Sequence, residues 1–243
     1  MNQLTRKQRE LLEREQLILD MAQSIINEEG YSHLNMDRIA ARVEYSKGTI
    51  YNHFSNKEEI ISGISCRCMT RLTRLFSRAR EYPGSHRERI AAIGIAHSLY
   101  TLLHPNEMQN MQIIKSTGVR EKISSDKHME LMHQEENVTG VVLDIIGDAM
   151  AAGDIPAGEA YTPDGIMFGL WSMSYGANLL ALTDIPFEKL GMADPLDMLW
   201  VNCHKLLDSY HWKPLSTDMD IFALREKILN ELFAEEYKQL KGE

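Results

Sequence analysis

Apolar residues recur at three- and four-residue spacing along almost all of this 243-residue chain, and nowhere does period-two alternation persist for a strand's length. The pattern restricts the chain to an all-α fold, because only helices bury such stripes against one another. A first helix is predicted over residues 5–29, with Ile18, Met21, Ala22, Ile25 and Ile26 on one face and Gly30 just past its end. Two short helices follow at 36–43 and 47–53. A fourth starts at Lys57, where Ser55-x-x-Glu58 and Asn56-x-x-Glu59 each fit a capping box, and stops before Pro83-Gly84. Further helices are expected near 86–104, 106–117, 125–152, 163–184 and 194–211, punctuated by Pro105, Gly118, Gly153, Pro156, Pro163 and Pro186. A last amphipathic segment, 218–240, carries Ile221, Leu224, Ile228 and Leu232; it either packs on the body or engages another chain.

The most specific local pattern lies in residues 34–60, LNMDRIAARVEYSKGTIYNHFSNKEEI. Two short helices joined by a turn of about three residues have the dimensions of a helix-turn-helix. Asn35 caps the first, with Leu34 and Ile39 as its hydrophobic staple; Ser46 caps the second, with Tyr45 and Ile50 in the same relation. Ile39, Ala40, Val43, Ile50 and Phe54 form the buried seam. Lys47, Gly48, Thr49, Tyr51, Asn52 and His53 remain outward, a set that donates to phosphates and reaches base edges. Gly48 costs a helix about 1 kcal/mol relative to Ala, and close approach of DNA would explain it. Lys57 stands at the start of the next helix, where an ammonium and free backbone N–H groups can share one phosphate. Arg6, Lys7 and Arg9 form either an arm along the duplex or a frayed terminus.

A formal charge of −9 is unfavourable for a nucleic-acid binder until its distribution is considered. Residues 1–80 hold thirteen basic against ten acidic side chains, and the acidity belongs to the remainder. A mildly basic head on an acidic body is compatible with phosphate contact, which depends on local surface. The 44% hydrophobic content suffices for a core. No apolar run approaches the roughly 20 residues of a membrane span, and the first residues are too charged for a secretory leader, so a cytoplasmic protein is expected. Cys66, Cys68 and Cys203 lack metal-type spacing and read as reduced thiols.

Ile39-Ala40, then Ser46-Lys47-Gly48-Thr49-Ile50-Tyr51, then His53-Phe54 and Lys57-Glu58-Glu59 carry a specific resemblance: over residues 14–70 the chain resembles the TetR (TetR/AcrR) family of transcriptional regulators. The resemblance implies an N-terminal three-helix helix-turn-helix domain (1–56) and a helical-bundle effector and dimerisation domain (57–243, with the extra segment 218–240). It implies that the second short helix is the recognition helix and that Tyr51 and Lys57 hold phosphates. Ser46, Lys47, Thr49 and His53 match family positions that often face DNA, and Asn35 replaces the commoner Thr or Ser. In the turn, Val43-Glu44-Tyr45 stands where Ala-Gly-Val is usual. A non-Gly residue at positive φ costs roughly 1–2 kcal/mol, so a differently shaped turn is expected, with a carboxylate near the DNA.

In the body, Gly165, Gly169, Ser172 and Gly176 fall within about 60° on a helical wheel. With the resembled family's four-helix dimer interface in mind, this stripe is assigned to a homodimer contact; packing within one subunit is the alternative. Phe168, Trp171, Tyr175 and Asn178, with Met111, Ile114, Met132 and His133, are candidates for lining an effector cavity, since Met and aromatics suit adaptable apolar pockets. His97, His104, His128 and His133 show no ligand motif, so no metal and no cofactor are expected. No phosphate loop, nucleophile elbow or zinc-protease motif points to an enzyme. The function implied is a sequence-specific regulator binding a palindromic operator in double-stranded DNA, a repressor released by a small molecule. The alternative is a ligand-independent DNA-binding and protein-interaction factor that docks partners through 218–240.

Overall fold

The computed structural model describes residues 5–115, 117–156, 158 and 161–242, and among these every regular element is helical. The chain groups into two compact units. The first comprises residues 1–68 and 106–134, the second 69–105 and 135–243, so residues 57–68 and 106–134 group with the expected head.

In the first unit, α1 (Arg6–Glu29) begins at a Thr5–Gln8 capping box and ends at Gly30, φ 87°. Arg6, Lys7 and Arg9 lie in the first turns of this helix, where Arg6 pairs with Glu10 at 2.8 Å. A 3-10 turn, Tyr31–His33, leads to α2 (Met36–Val43) and α3 (Lys47–Tyr51). The start of α4 (Lys57–Arg80) follows, then α6 (Pro105–Ile114) from Asn106 on, α7 (Thr117–Arg120), and the first turns of α8 (Ser125–Ala152). Ile18, Ala22, Ile25, Ile39, Ile50, Ile60 and Ile64 are fully buried here. Gly63 gives α4 its approach to α1, since a Cβ would come within 3.0 Å of Leu19.

The second unit is organised around α5 (His86–Leu103), whose capping box pairs Ser85 with Glu88. It is buried at Ile90, Ala92, Ile95, Ala96, Leu99 and Tyr100, more than one stripe, as a helix with neighbours on several sides must be. Those neighbours include α9 (Pro163–Ala181), α10 (Pro195–Ser209), α11 (Ile221–Glu231) and α12 (Ala234–Lys241). The segment anticipated as one helix over 218–240 is two, broken where the fully buried Phe233 turns inward, and both pack on α5. Arg87 is buried near the start of α5; it pairs with Asp208 at 2.7 Å and donates to the His204 carbonyl at 2.9 Å.

Candidate nucleic-acid interface

The helix-turn-helix is set by its caps and its turn. Asn35 Oδ1 accepts from the Arg38 N–H at 2.9 Å, starting α2, and Ser46 Oγ accepts from the Thr49 N–H at 3.1 Å, starting α3. Glu44 closes α2 at φ 56°, ψ 33°, so the expectation of a differently shaped turn is not met: the glutamate itself takes the left-handed conformation that glycine usually supplies. Ile39, Ile50 and Phe54 are buried at 0–1% exposure, which fixes which side of α3 is left outside. Ser46, Lys47, Gly48, Tyr51 and Asn52 are exposed, with Thr49 and His53 half-buried. The helix is shorter than the expected 47–53, with Asn52 as its C-cap.

These residues differ in how free they are to meet a ligand. Ser46 Oγ lies 2.9 Å from Thr49 Oγ1, so the pair of hydroxyls is already engaged. Lys47 Nζ is 2.7 Å from Asp37, a pair exposed by more than half on both sides and hence exchangeable for a phosphate. Tyr51, 51% exposed, points its ring outward. A Cβ built on Gly48 would meet only Ser46 Oγ, at 3.7 Å, so nothing inside the chain demands glycine there.

Tyr51 and Lys57 border one cleft with Asn35, Met36, Asp37, Ser55, Asn56 and Glu58, where α2 and α4 both begin. Of the two possible capping pairs at α4, the structure uses the second: Asn56 Oδ1 accepts from the Glu59 N–H at 2.8 Å, and Glu59 accepts from the Ser55 N–H at 2.7 Å. Burial works against the Glu59 carboxylate, yet donors from Ser55 and Ser124 hold its pKa below the ordinary value. The start of α4 is thereby clamped from α7–α8, where Asn56 also donates to the Lys122 carbonyl at 2.9 Å and Lys122 reaches Glu58 at 3.3 Å. The two carboxylates bordering the cleft are thus each met by a lysine, Asp37 by Lys47 and Glu58 by Lys122. Lys57 Nζ sits 4.5 Å above the Tyr31 ring.

The sequence did not reveal where the arginines of α2 go. Arg42 pairs with Glu28 at 2.6 Å, and Arg38 with Glu29, joining α2 to the end of α1. Hydrogen bonding by Arg42, then Ser24, holds the Glu28 carboxyl down at about 2. Partners nine and fourteen positions apart on different helices leave no spacing signal.

The second unit holds a partly open cavity of about 210 Å³, bordered by side chains of α4, α5, α8, α9, α10, α11 and α12. Of the sequence candidates for an effector site, Trp171 borders it. Met111 and Ile114 lie in the core of the first unit instead, Met132 and Phe168 are 44% and 64% exposed, and His133 is exposed. Tyr175 is half-buried and Asn178 buried, its amide donating to the Ser174 carbonyl at 2.8 Å. Helical spacing groups such side chains on a face but does not say which neighbour that face meets. In the small-residue stripe, Gly169 faces Tyr210 and Leu206 of the same chain, at 3.0 and 3.4 Å from a built Cβ. Gly176 meets nothing within 4 Å, Ser172 and Gly165 are exposed, and Gly165 lies against its own cap, Thr162. Among the described residues no three His, Cys, Asp or Glu gather as a metal site, and no helix is long and apolar enough to cross a membrane.

Residues 18–64, which include this whole motif, match the family model of bacterial regulatory proteins, tetR family. No curated protein matches the chain. Among solved structures, a bacterial regulatory protein in the tetR family from Rhodococcus RHA1 is similar, at 16% identity and TM-score 0.60 over 81% of this chain and 96% of that one. A TetR/AcrR-family transcriptional regulator from Thermobifida fusca matches at 21% identity and TM-score 0.57, over 82% and 98%. The TetR-family regulator PfmR from Thermus thermophilus matches at 18% and 0.58, over 79% and 97%. At these identities the likeness is one of fold.

Proposed function

This chain is a member of the tetR family of bacterial regulatory proteins through its residues 18–64, and on that premise we propose that it is a sequence-specific transcriptional repressor which leaves its operator when a small molecule occupies the body. The observation that carries the DNA-binding half is the cleft at the start of α2 and α4. Tyr51 and Lys57 meet there beside a short, capped helix whose outward face is Lys47, Gly48, Tyr51 and Asn52. Tyr51 and Lys57 take phosphates, and Lys47 exchanges Asp37 for DNA. Thr49, Asn52 and His53 complete the contacts, while Asn35 and Ser46 act first as caps.

The operator is palindromic and the protein a homodimer, so that two recognition helices enter half-sites about 34–36 Å apart. Support for the dimer comes from the apolar surface of α9 and the start of α10: Phe168, Trp171, Leu179, Leu180 and Met198 are each at least 40% exposed. Gly176, with open space beside it, lets a partner helix approach, whereas Gly169 serves packing within the chain. Release by an effector requires that the molecule bind one conformation more tightly than the other, by as much as the operator affinity changes.

The deciding experiment is selection of bound sequences from a random duplex pool at fixed salt, with the wild type beside a Lys47→Ala, Tyr51→Ala double variant. Enrichment of a palindrome by the wild type alone is the expected result. A folded wild-type dimer that enriches nothing would remove the DNA-binding reading.

A further inference from the structure

The cavity of the second unit is walled mainly by aliphatic and aromatic side chains, among them Ile93, Leu170, Leu199 and, from the C-terminal helices, Leu229 and Leu240. Among its polar side chains, two stand together on α10. Trp200 and His204, one helical turn apart, both border the cavity, are 7% and 1% exposed, and stack edge to face with centroids 4.6 Å apart. The indole Nε1 and both imidazole nitrogens have no hydrogen-bond partner. Proteins leave few buried polar atoms in that condition, and three together on two residues that border a cavity mark where a ligand's polar atom belongs.

Charge is already balanced around them. The one formally charged residue in the lining, Arg225, is held by Asp197 at 2.6 Å. Arg87, behind His204, is held by Asp208 at 2.7 Å and donates to the His204 carbonyl, so its guanidinium is committed to the protein. Burial, reinforced by Arg87, pushes the His204 imidazole down to about 4, and burial pushes the neighbouring Cys203 thiol up to about 12. His97, on the opposing helix α5, shares its Nδ1 with the Ser174 hydroxyl at 2.7 Å. A carboxylate or ammonium brought beside Trp200 and His204 would find no uncommitted counter-charge in the lining. A neutral oxygen, by contrast, can accept from the indole N–H and pair with a neutral imidazole, which both donates and accepts.

We propose that this cavity binds a small, uncharged, mainly apolar molecule whose single hydroxyl or carbonyl oxygen is held by Trp200 and His204. The inference rests on the effector-responsive reading above and gives that effector its chemical class. At about 210 Å³ the space lies below the 300–1,000 Å³ of drug-sized pockets, which sets the scale of the molecule.

The test uses three probes with one tail and three head groups: 1-octanol, octanoate and octylammonium. Each is added at the same concentration to the full chain near neutral pH, with thermal melting and the His204 ring 15N resonances as readouts. 1-Octanol is expected to raise Tm and move the His204 resonances, while the two ions do neither. Trp200→Phe, which keeps a ring, should weaken 1-octanol about fivefold through loss of one hydrogen bond. His204→Leu should do the same, and if that variant does not melt cooperatively the Trp200 variant decides. Octanoate or octylammonium binding as tightly as octanol overturns the uncharged assignment. Octanol affinity unchanged in the variants overturns the role of Trp200 and His204, and no response to any probe overturns the site. Duplex binding is measured on the same samples: specific DNA binding with no probe bound sinks this inference alone, and octanol binding without any specific duplex sinks the DNA reading alone.

Discussion

Glu44 and Gly48, four positions apart, invert the usual expectation for their residue types. The glutamate occupies a left-handed turn position at φ 56°, and the glycine sits in a right-handed helix where the chain leaves room for a methyl group. Gly48→Ala is therefore expected to leave stability unchanged or raise it by up to about 1 kcal/mol. Operator affinity should fall roughly tenfold, the cost of one displaced contact, as melting and duplex titration of the same preparation would reveal. His204 gives a pH prediction. Its imidazole titrates at about 4 in the folded chain against 6.5 in the reference state, with Arg87 and Asp208 as its charged neighbours. Below pH 6.5 the unfolded chain takes up a proton that the folded one refuses. Stability is then complete above 6.5 and declines as pH drops toward 4, by on the order of 3 kcal/mol. Urea midpoints across that range should show the decline in the wild type and a flatter profile in His204→Leu. The caps at Asn35 and Ser46 were legible because capping is a matter of neighbours in sequence. The Arg42–Glu28 pair and the Glu59–Ser124 bond were not, because they join residues that only folding brings together.

Helices announced themselves by period and punctuation: α8 runs over the expected 125–152, and α1, α2 and α5 begin or end within a residue or so of their signals. Two features escaped. Gly63, between Ser62 and Ile64 inside a long helix, carries the contact of α4 with Leu19, and the break between α11 and α12 contains neither glycine nor proline. Leu224, Ile228, Leu229 and Phe233, on both sides of that break, are all buried. Truncation before Thr217 is accordingly expected to abolish cooperative folding and leave insoluble protein. Uncovering a single side chain of this kind costs about 2–5 kcal/mol, and a domain holds only 5–15 in reserve. A soluble, cooperatively melting truncation product, seen by circular dichroism, would instead return the segment to the role of a detachable docking element.

At the scale of the whole molecule, charge separates along the chain as its composition indicated, and several of the head's cations are engaged by its own carboxylates. Arg38 and Arg42 are bound by Glu29 and Glu28, Arg67 by Asp20, and Lys47 by Asp37. Each phosphate contact made by a free cation contributes about 0.9 to the slope of log affinity against log salt. A dimer relying on Lys57 and an exchanged Lys47 in each protomer should show a slope of about −2 to −4 in duplex titrations at several salt concentrations. Glu28→Gln with Glu29→Gln, by releasing two arginines per protomer, should steepen it. The cavity was less legible than the motif, because its lining comes from seven helices and no sequence spacing encodes which of their faces converge.

The arginines bound within α1 and α2 also bear on how such a protein would find a site in a chromosome. Random DNA offers only phosphates, and a head whose Arg38 and Arg42 are held by its own carboxylates has fewer cations to hold such DNA with. Search would then proceed mostly through solution, with brief encounters and short slides, and arrest at a true operator would depend on the outward face of one short helix.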